Sequence, residues 1–164
     1  MYKRLTKINM MKFIILLSTT IFTGCGFGAG THGSIKGYQY SVSKTLLADA
    51  VNNVIKNDTT IHLNTKLGYY NDNINYFTIT IKNGIDENEY TIRYLGDSST
   101  WTTASTSEIF ICYIYDEMGN GGSSGNDNWE KTPDDIKKKM IDLFETKFVS
   151  RIDRTLRVDH IDSY

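Results

Sequence analysis

The stretch Tyr76–Leu95, YFTITIKNGIDENEYTIRYL, decides the fold. Its first seven residues alternate without a break. Phe77, Ile79 and Ile81 point one way and Tyr76, Thr78, Thr80 and Lys82 the other, the period of two that lays one strand face on a core. Asn83 and Gly84 open a turn. From Glu89 the alternation resumes, with Tyr90, Ile92 and Tyr94 opposed to Glu89, Thr91 and Arg93. The two runs predict an antiparallel hairpin whose loop is longer than the two-residue type.

Downstream, Glu108–Tyr115 reads EIFICYIY and is apolar on both parities, which predicts a central strand. Its expected register puts Phe110, Cys112 and Ile114 in the core and Tyr113 and Tyr115 on the opposite face. Shorter strands are expected at Ile35–Tyr40 and Thr59–Asn64, the second followed by the turn-rich GYYNDNIN. The polar connection GDSSTWTTASTS is expected to hold another short strand around Trp101.

Two helices flank these strands. Ser41 or Ser43 can cap the first, in which Leu46, Leu47, Ala50, Val51, Val54 and Ile55 recur at helical spacing until Asn57 and Asp58 end it. The second has Thr132 as cap, Pro133 at the first helical position, and Asp134 and Asp135 complementing the positive helix end. Ile136, Met140, Phe144 and Phe148 follow four apart, with Ile141 and Leu143 broadening the stripe to about Arg151. Each helix has one apolar stripe and needs one surface to lie on. The expected fold is therefore α+β, a two-layer sandwich with an antiparallel sheet of four to five strands and both helices on one face. Residues 35–157 make up this single domain, and 158–164, VDHIDSY, form a loose tail.

The first 34 residues have another character. Phe13–Phe22 is apolar but only ten residues long, about 15 Å as a helix against a hydrocarbon core of about 30 Å. Lys3, Arg4, Lys7 and Lys12 precede or border it, and no acidic residue occurs before Asp49. A basic start, a short apolar run and a small-residue exit are the layout of a secretory signal peptide. The exit, Ile21-Phe22-Thr23-Gly24-Cys25, resembles the lipobox of bacterial lipoproteins, with Phe22 standing where that family commonly has Leu. The resemblance covers residues 1–25 only. It implies removal of residues 1–24, a covalent lipid on the Cys25 sulfur, and a location in the bacterial cell envelope with the chain anchored to a membrane. Gly26–Ser34 is rich in glycine and reads as a tether between anchor and domain.

With residues 1–24 removed, 140 remain, enough for a core without covalent staples. The leader holds four of the 18 Lys and Arg and none of the 19 Asp and Glu, so the mature chain has a net charge of −5. This argues against nucleic acid as a partner. Lys137–Lys139 read as a solvated helix face. If Cys25 carries lipid, Cys112 has no partner and acts as a small buried apolar side chain.

Catalytic motifs are scarce. His32 falls in the tether, His160 in the tail and His62 in a strand, and no metalloprotease, nucleophile-elbow or phosphate-loop pattern occurs. No cofactor beyond the lipid is expected. In YDEMGNGGSSGNDNWE, Asp116, Asn120, Gly121 and Asp127 fall on positions 1, 5, 6 and 12 of a calcium loop. Met118 at position 3 cannot ligate a hard cation, so a glycine-rich surface loop is expected instead. The candidate binding surface is aromatic: Tyr76, Arg93, Tyr113 and Tyr115 on the sheet face away from the helices, with Trp101 and Trp129 from polar connections. The expected function is binding of a protein or an envelope glycan without catalysis. Two alternatives are an envelope enzyme inhibitor or immunity-type lipoprotein, and a small hydrolase or accessory domain using clustered carboxylates.

Overall fold

The computed structural model describes residues 33–66, 71–72, 74–96 and 100–163. The leader, Cys25, His32, most of the tether and most of the GYYN portion of the turn-rich patch lie outside the described residues. Strand β1 (Lys36–Tyr40) leads into helix α1 (Lys44–Asn57), followed by β2 (Ile61–Leu63), β3 (Tyr76–Asn83), β4 (Asp86–Tyr94), β5 (Ser107–Asp116) and β6 (Gly121–Gly122). Helices α2 (Asp127–Lys131) and α3 (Asp134–Phe144), a π-helical turn (Glu145–Val149), α4 (Ser150–Leu156) and β7 (Ile161–Asp162) complete the order. The sheet runs β2-β3-β4-β5-β1-β7, every pairing antiparallel. The fold is the α+β arrangement the periodicity predicts, with more strands.

The β3–β4 hairpin has the predicted faces, but Asn83 pairs with Asp86, so its loop is the two residues Gly84 and Ile85 and not a longer one. Phe77, Ile79 and Ile81 meet Tyr90, Ile92 and Tyr94 in a core shared with Leu47, Ala50, Val51 and Val54 of α1 and Met140, Phe144, Phe148 and Ile152 of the C-terminal helix. Strand β5 departs from expectation. A bulge opposite Thr91 and Ile92 pairs Thr91 with Tyr113 but Ile92 with Ile111. The extra residue shifts the parity of the strand. The core positions are therefore Ile109, Ile111 and Ile114, while Phe110 sits opposite Arg93 on the far face. Phe110 and Cys112 are nonetheless buried. The second edge of β5 is shared along its length: β1 covers Ser107–Ile111 and β6 covers Ile114 and Tyr115.

Helix α1 is capped by Ser43, whose Oγ accepts from the Leu46 amide at 3.4 Å. Thr132 does not cap the last helix. It closes α2, its hydroxyl donating to the Asn128 carbonyl at 2.8 Å and accepting the Gly121 amide at 3.1 Å, and Pro133 stands before α3. No periodicity announces α2, which is only five residues long and starts from the cap Asn126. Around Trp101 the chain forms a turn rather than a strand, Ala104 donating to the Thr100 carbonyl at 2.9 Å. The π-helical turn inserts the extra residue that lets the adjacent Phe148 and Val149 both reach the core. It also presents Glu145 to β1, where Tyr38 donates to its Oε1 at 3.2 Å and Lys36 pairs with it at 2.5 Å.

The tail is not loose. Residues Ile161 and Asp162 pair with Gln39 and Tyr38, and Ser163 donates its amide to Gly37 at 3.1 Å and its hydroxyl to Glu108. Asp162 reaches Lys36 at 3.1 Å, and His160 Nδ1 lies 3.0 Å from Asp153 with its ring edge-on to Tyr38. Truncation after Arg157 is expected to cost about 1–3 kcal/mol, because it strips these bonds and leaves the buried Glu108 carboxyl without the Ser163 hydroxyl. Thermal melting of the truncated chain checks this; an unchanged Tm would mean the last strand contributes nothing.

Candidate functional site

Strands β3, β4 and β5 place Tyr76, Arg93, Tyr113 and Tyr115 on the face opposite the helices. Tyr76 is directly across from Arg93, whose guanidinium carbon lies 5.5 Å from the ring centroid, a cation–π distance. Tyr113 and Tyr115 are stacked at 6.5 Å with 11° between their rings. Between the two pairs, the Thr78 and Thr91 hydroxyls hydrogen-bond at 3.1 Å. All four larger residues are half-buried, and Phe110, Cys112, Thr78 and Thr91 alongside them are buried. Burial pushes the Cys112 thiol up to about 11, against the opposing pull of Arg93. A thiol so placed is inert. Cys112 is expected to resist a thiol-labelling reagent at neutral pH in the folded chain and to react fully in denaturant; equal rates in both would contradict its burial.

The two tryptophans do not join this face. Trp129 lies half-buried in α2 against the core, with the Lys137 ammonium 5.6 Å from its ring. Trp101 donates Nε1–H to the Leu95 carbonyl at 3.2 Å and stacks under the Lys44 ammonium at the start of α1. The expected six-residue surface therefore divides into four sheet residues and two separate edge residues. Trp101 lies in a turn and Trp129 in a five-residue helix, neither of which shows a period, so nothing in the sequence assigns the tryptophans a side.

The calcium-like loop is held by its own bonds. Asp116 Oδ1 accepts the amides of Met118 at 2.9 Å and Asn120 at 2.8 Å, and Oδ2 accepts the Asn120 side chain at 2.7 Å. Asp127 belongs to α2 and faces Lys131 at 3.8 Å. Asp116 and Asn120 thus close the turn into β6, as a surface loop does. Among the described residues no three His, Cys, Asp or Glu side chains gather in a metal-binding arrangement.

Carboxylates do collect in an open groove of about 520 Å³ between α3, the β3–β4 turn and the turn after β5. Asp86 pairs with Lys139 at 3.3 Å, Asp142 with Lys138 at 2.5 Å and Glu87 with Lys82 at 2.9 Å. These are solvated ion pairs on the helix face and hairpin end, the role expected of Lys138 and Lys139, whereas Lys137 is half-buried against Trp129. His62 is exposed on β2 opposite Thr80. The residues that sequence reasoning missed are Lys44 with its aromatic neighbours and His160 with Asp153; both depend on tertiary contacts between distant segments.

No protein family matches this chain, and neither a curated protein nor a solved structure matches it.

Proposed function

We propose that residues 25–164 form a lipid-anchored cell-envelope domain that binds a protein or an envelope glycan and catalyses nothing itself. The observation that carries the binding half is the ordered pairing of Tyr76 with Arg93 and of Tyr113 with Tyr115 on the sheet face away from the helices. Such residues combine apolar area with polar tips and lose little side-chain entropy on binding, the usual make-up of recognition surfaces. The anchoring half rests on the leader and the Gly24-Cys25 exit, whose basic, apolar and small-residue parts fall in lipoprotein order. A single acyl chain holds a protein to a bilayer marginally and two or more hold it firmly. The net charge of the mature chain and its tyrosine content suit an envelope partner better than nucleic acid.

The test is photo-cross-linking in intact cells from position 115, with position 85 as control. Ile85 is 93% exposed at the tip of the β3–β4 turn. A discrete adduct from position 115 alone, lost in a folded Tyr76→Ser/Tyr113→Ser double variant, is the expected result. Identical adducts from both positions, or capture indifferent to the double substitution, would reject this surface.

A further inference from the structure

The groove between α3, the β3–β4 turn and the turn after β5 has a volume of about 520 Å³, within the range of small-ligand sites. Its exposed lining is mainly apolar, with Ile136, Met140 and Leu143 of α3 on one side and Met118 of the turn on the other. Five carboxylates and two lysines complete the charged part of that lining, so the groove as a whole is negative.

Asn88 of β4 lines it from below and is 7% exposed. The orientation of its carboxamide is fixed by a neighbour. The Tyr90 hydroxyl donates its one proton to the Met140 carbonyl at 2.9 Å, so toward Asn88 it can only accept, and Asn88 Nδ2 donates to it at 3.2 Å. The other end of the carboxamide is therefore an acceptor. Among the described residues nothing donates to that oxygen, and it is not sealed from solvent, so it opens on the groove. An acceptor on so buried a side chain is costly to leave without a donor.

Negative charge stands beside it. Asp116 is the cross-strand partner of Asn88, and Glu117 follows. Asp116 Oδ2 accepts a single bond, from the Asn120 side chain at 2.7 Å, and keeps a lone pair. Among the described residues neither carboxylate forms an ion pair. Every lysine and arginine from residue 33 onward is described, so the remaining ones are Lys3, Arg4, Lys7 and Lys12 of the leader. The other three carboxylates have their cations: Asp86 has Lys139, Asp142 has Lys138 and Glu87 has Lys82. Glu117 acts on Lys82 too, but that ammonium is held by Glu87 at 2.9 Å. Lys147, the second lysine of the lining, sits on the π-helical turn, where its charge acts on Asp58. The end of the groove at Asn88, Asp116 and Glu117 thus offers acceptors and negative charge with no cation of its own.

We propose that this groove binds a primary alkylammonium, its head donating to the Asn88 oxygen beside Asp116 and Glu117 and its stem lying along Met118, Met140 and Leu143. An ammonium brings three donors together with the charge, and a hydrocarbon stem suits the apolar lining. A bare divalent cation of the calcium type takes six or more oxygen ligands and gains nothing from that lining. A free amine and the lysine side chain of a peptide share this chemistry. The inference stands apart from the tyrosine face and from the anchor.

Isothermal titration of the full chain at neutral pH compares n-butylammonium, n-butyltrimethylammonium and n-butanol, which share one stem. A saturable heat is expected with butylammonium. The trimethyl compound, which has the charge but no N–H, and butanol, which has no charge, should each bind about tenfold more weakly. Acetyl-lysine methylamide separates the sources: tighter binding than butylammonium assigns a peptide lysine, weaker binding a free amine, and either order supports the site. Glu117→Gln, at an exposed position, should weaken butylammonium and leave butanol unchanged. Asn88→Leu, shown folded by circular dichroism, should abolish the preference for butylammonium over its trimethyl counterpart. Absence of a saturable heat with butylammonium overturns the proposal. So do equal affinities for the three compounds, a Glu117→Gln chain that binds the amine as the native chain does, or displacement of the amine by calcium at equal concentration.

Discussion

Phe144→Ala lowers the free energy of unfolding by about 3–5 kcal/mol, the range for emptying a fully enclosed aromatic site. The ring is wholly buried where the C-terminal helix meets the sheet. Its centroid lies 4.9 Å from Tyr90, 5.7 Å from Tyr38 and 5.2 Å from Phe148, so it touches β4, β1 and the π-helical turn together. Tyr90 is itself fixed from the other side, donating its hydroxyl to the Met140 carbonyl at 2.9 Å. With these neighbours tied down, the space left by the ring cannot collapse, and the full cavity cost is felt. Urea denaturation should show a lower midpoint at an unchanged slope. Phe144→Leu, which fills part of the volume, should lose less. A loss below about 1 kcal/mol in the alanine variant would mean that the helix and sheet are not joined at this ring.

Asp58→Ala costs about 2–4 kcal/mol for a different reason. Asp58 ends α1 and is buried, its Oδ1 accepting the Thr60 amide at 2.9 Å and the Thr60 hydroxyl at 2.7 Å. Its second oxygen pairs with Arg151 of α4, so one carboxylate ties the end of the first helix to the last. Arg151 is partly exposed, which keeps the expected loss below that of a fully buried pair. Burial alone would raise the Asp58 pKa; the Thr60 bonds and the charges of Arg151 and Lys147 outweigh it and hold the carboxyl below the ordinary aspartate range. A depressed native pKa stabilises the fold above the unfolded value of about 3.9. That contribution disappears as pH falls through the native value. Asp72, held low by amide bonds that outweigh its own desolvation, behaves in the same sense. Asp58→Asn should therefore flatten part of the acid limb of stability against pH and leave the Asp72 part. Parallel acid limbs in the two proteins would contradict the assignment.

The parts legible in the sequence are those where periodicity has something to alternate against. In YFTITIK, threonine separates each isoleucine from the next, so the core face of β3 follows at once. In EIFICYIY both parities are apolar, and a bulge changes the register without changing the pattern. Tyr113 and Tyr115 keep their expected side because they lie on one side of the bulge, whereas Phe110 lies on the other. Strands β6 and β7 have two residues each, too short for any period. The tail reads as polar and docks through Lys36, Gly37 and Glu108, with 55 positions between Ser163 and Glu108. Lys44 illustrates the limit for sites: alone it is an ordinary helix residue, and only folding brings Trp101 and Tyr94 to its ammonium.

The proposed function turns on a domain held to a membrane through Cys25. Intact mass spectrometry of the protein from native membranes tests it most directly. A chain beginning at Cys25, with a diacylglyceryl mass on sulfur and a further acyl group on the amine, is the expected result. A mature chain bearing an unmodified thiol at residue 25, or one that begins elsewhere, would contradict it.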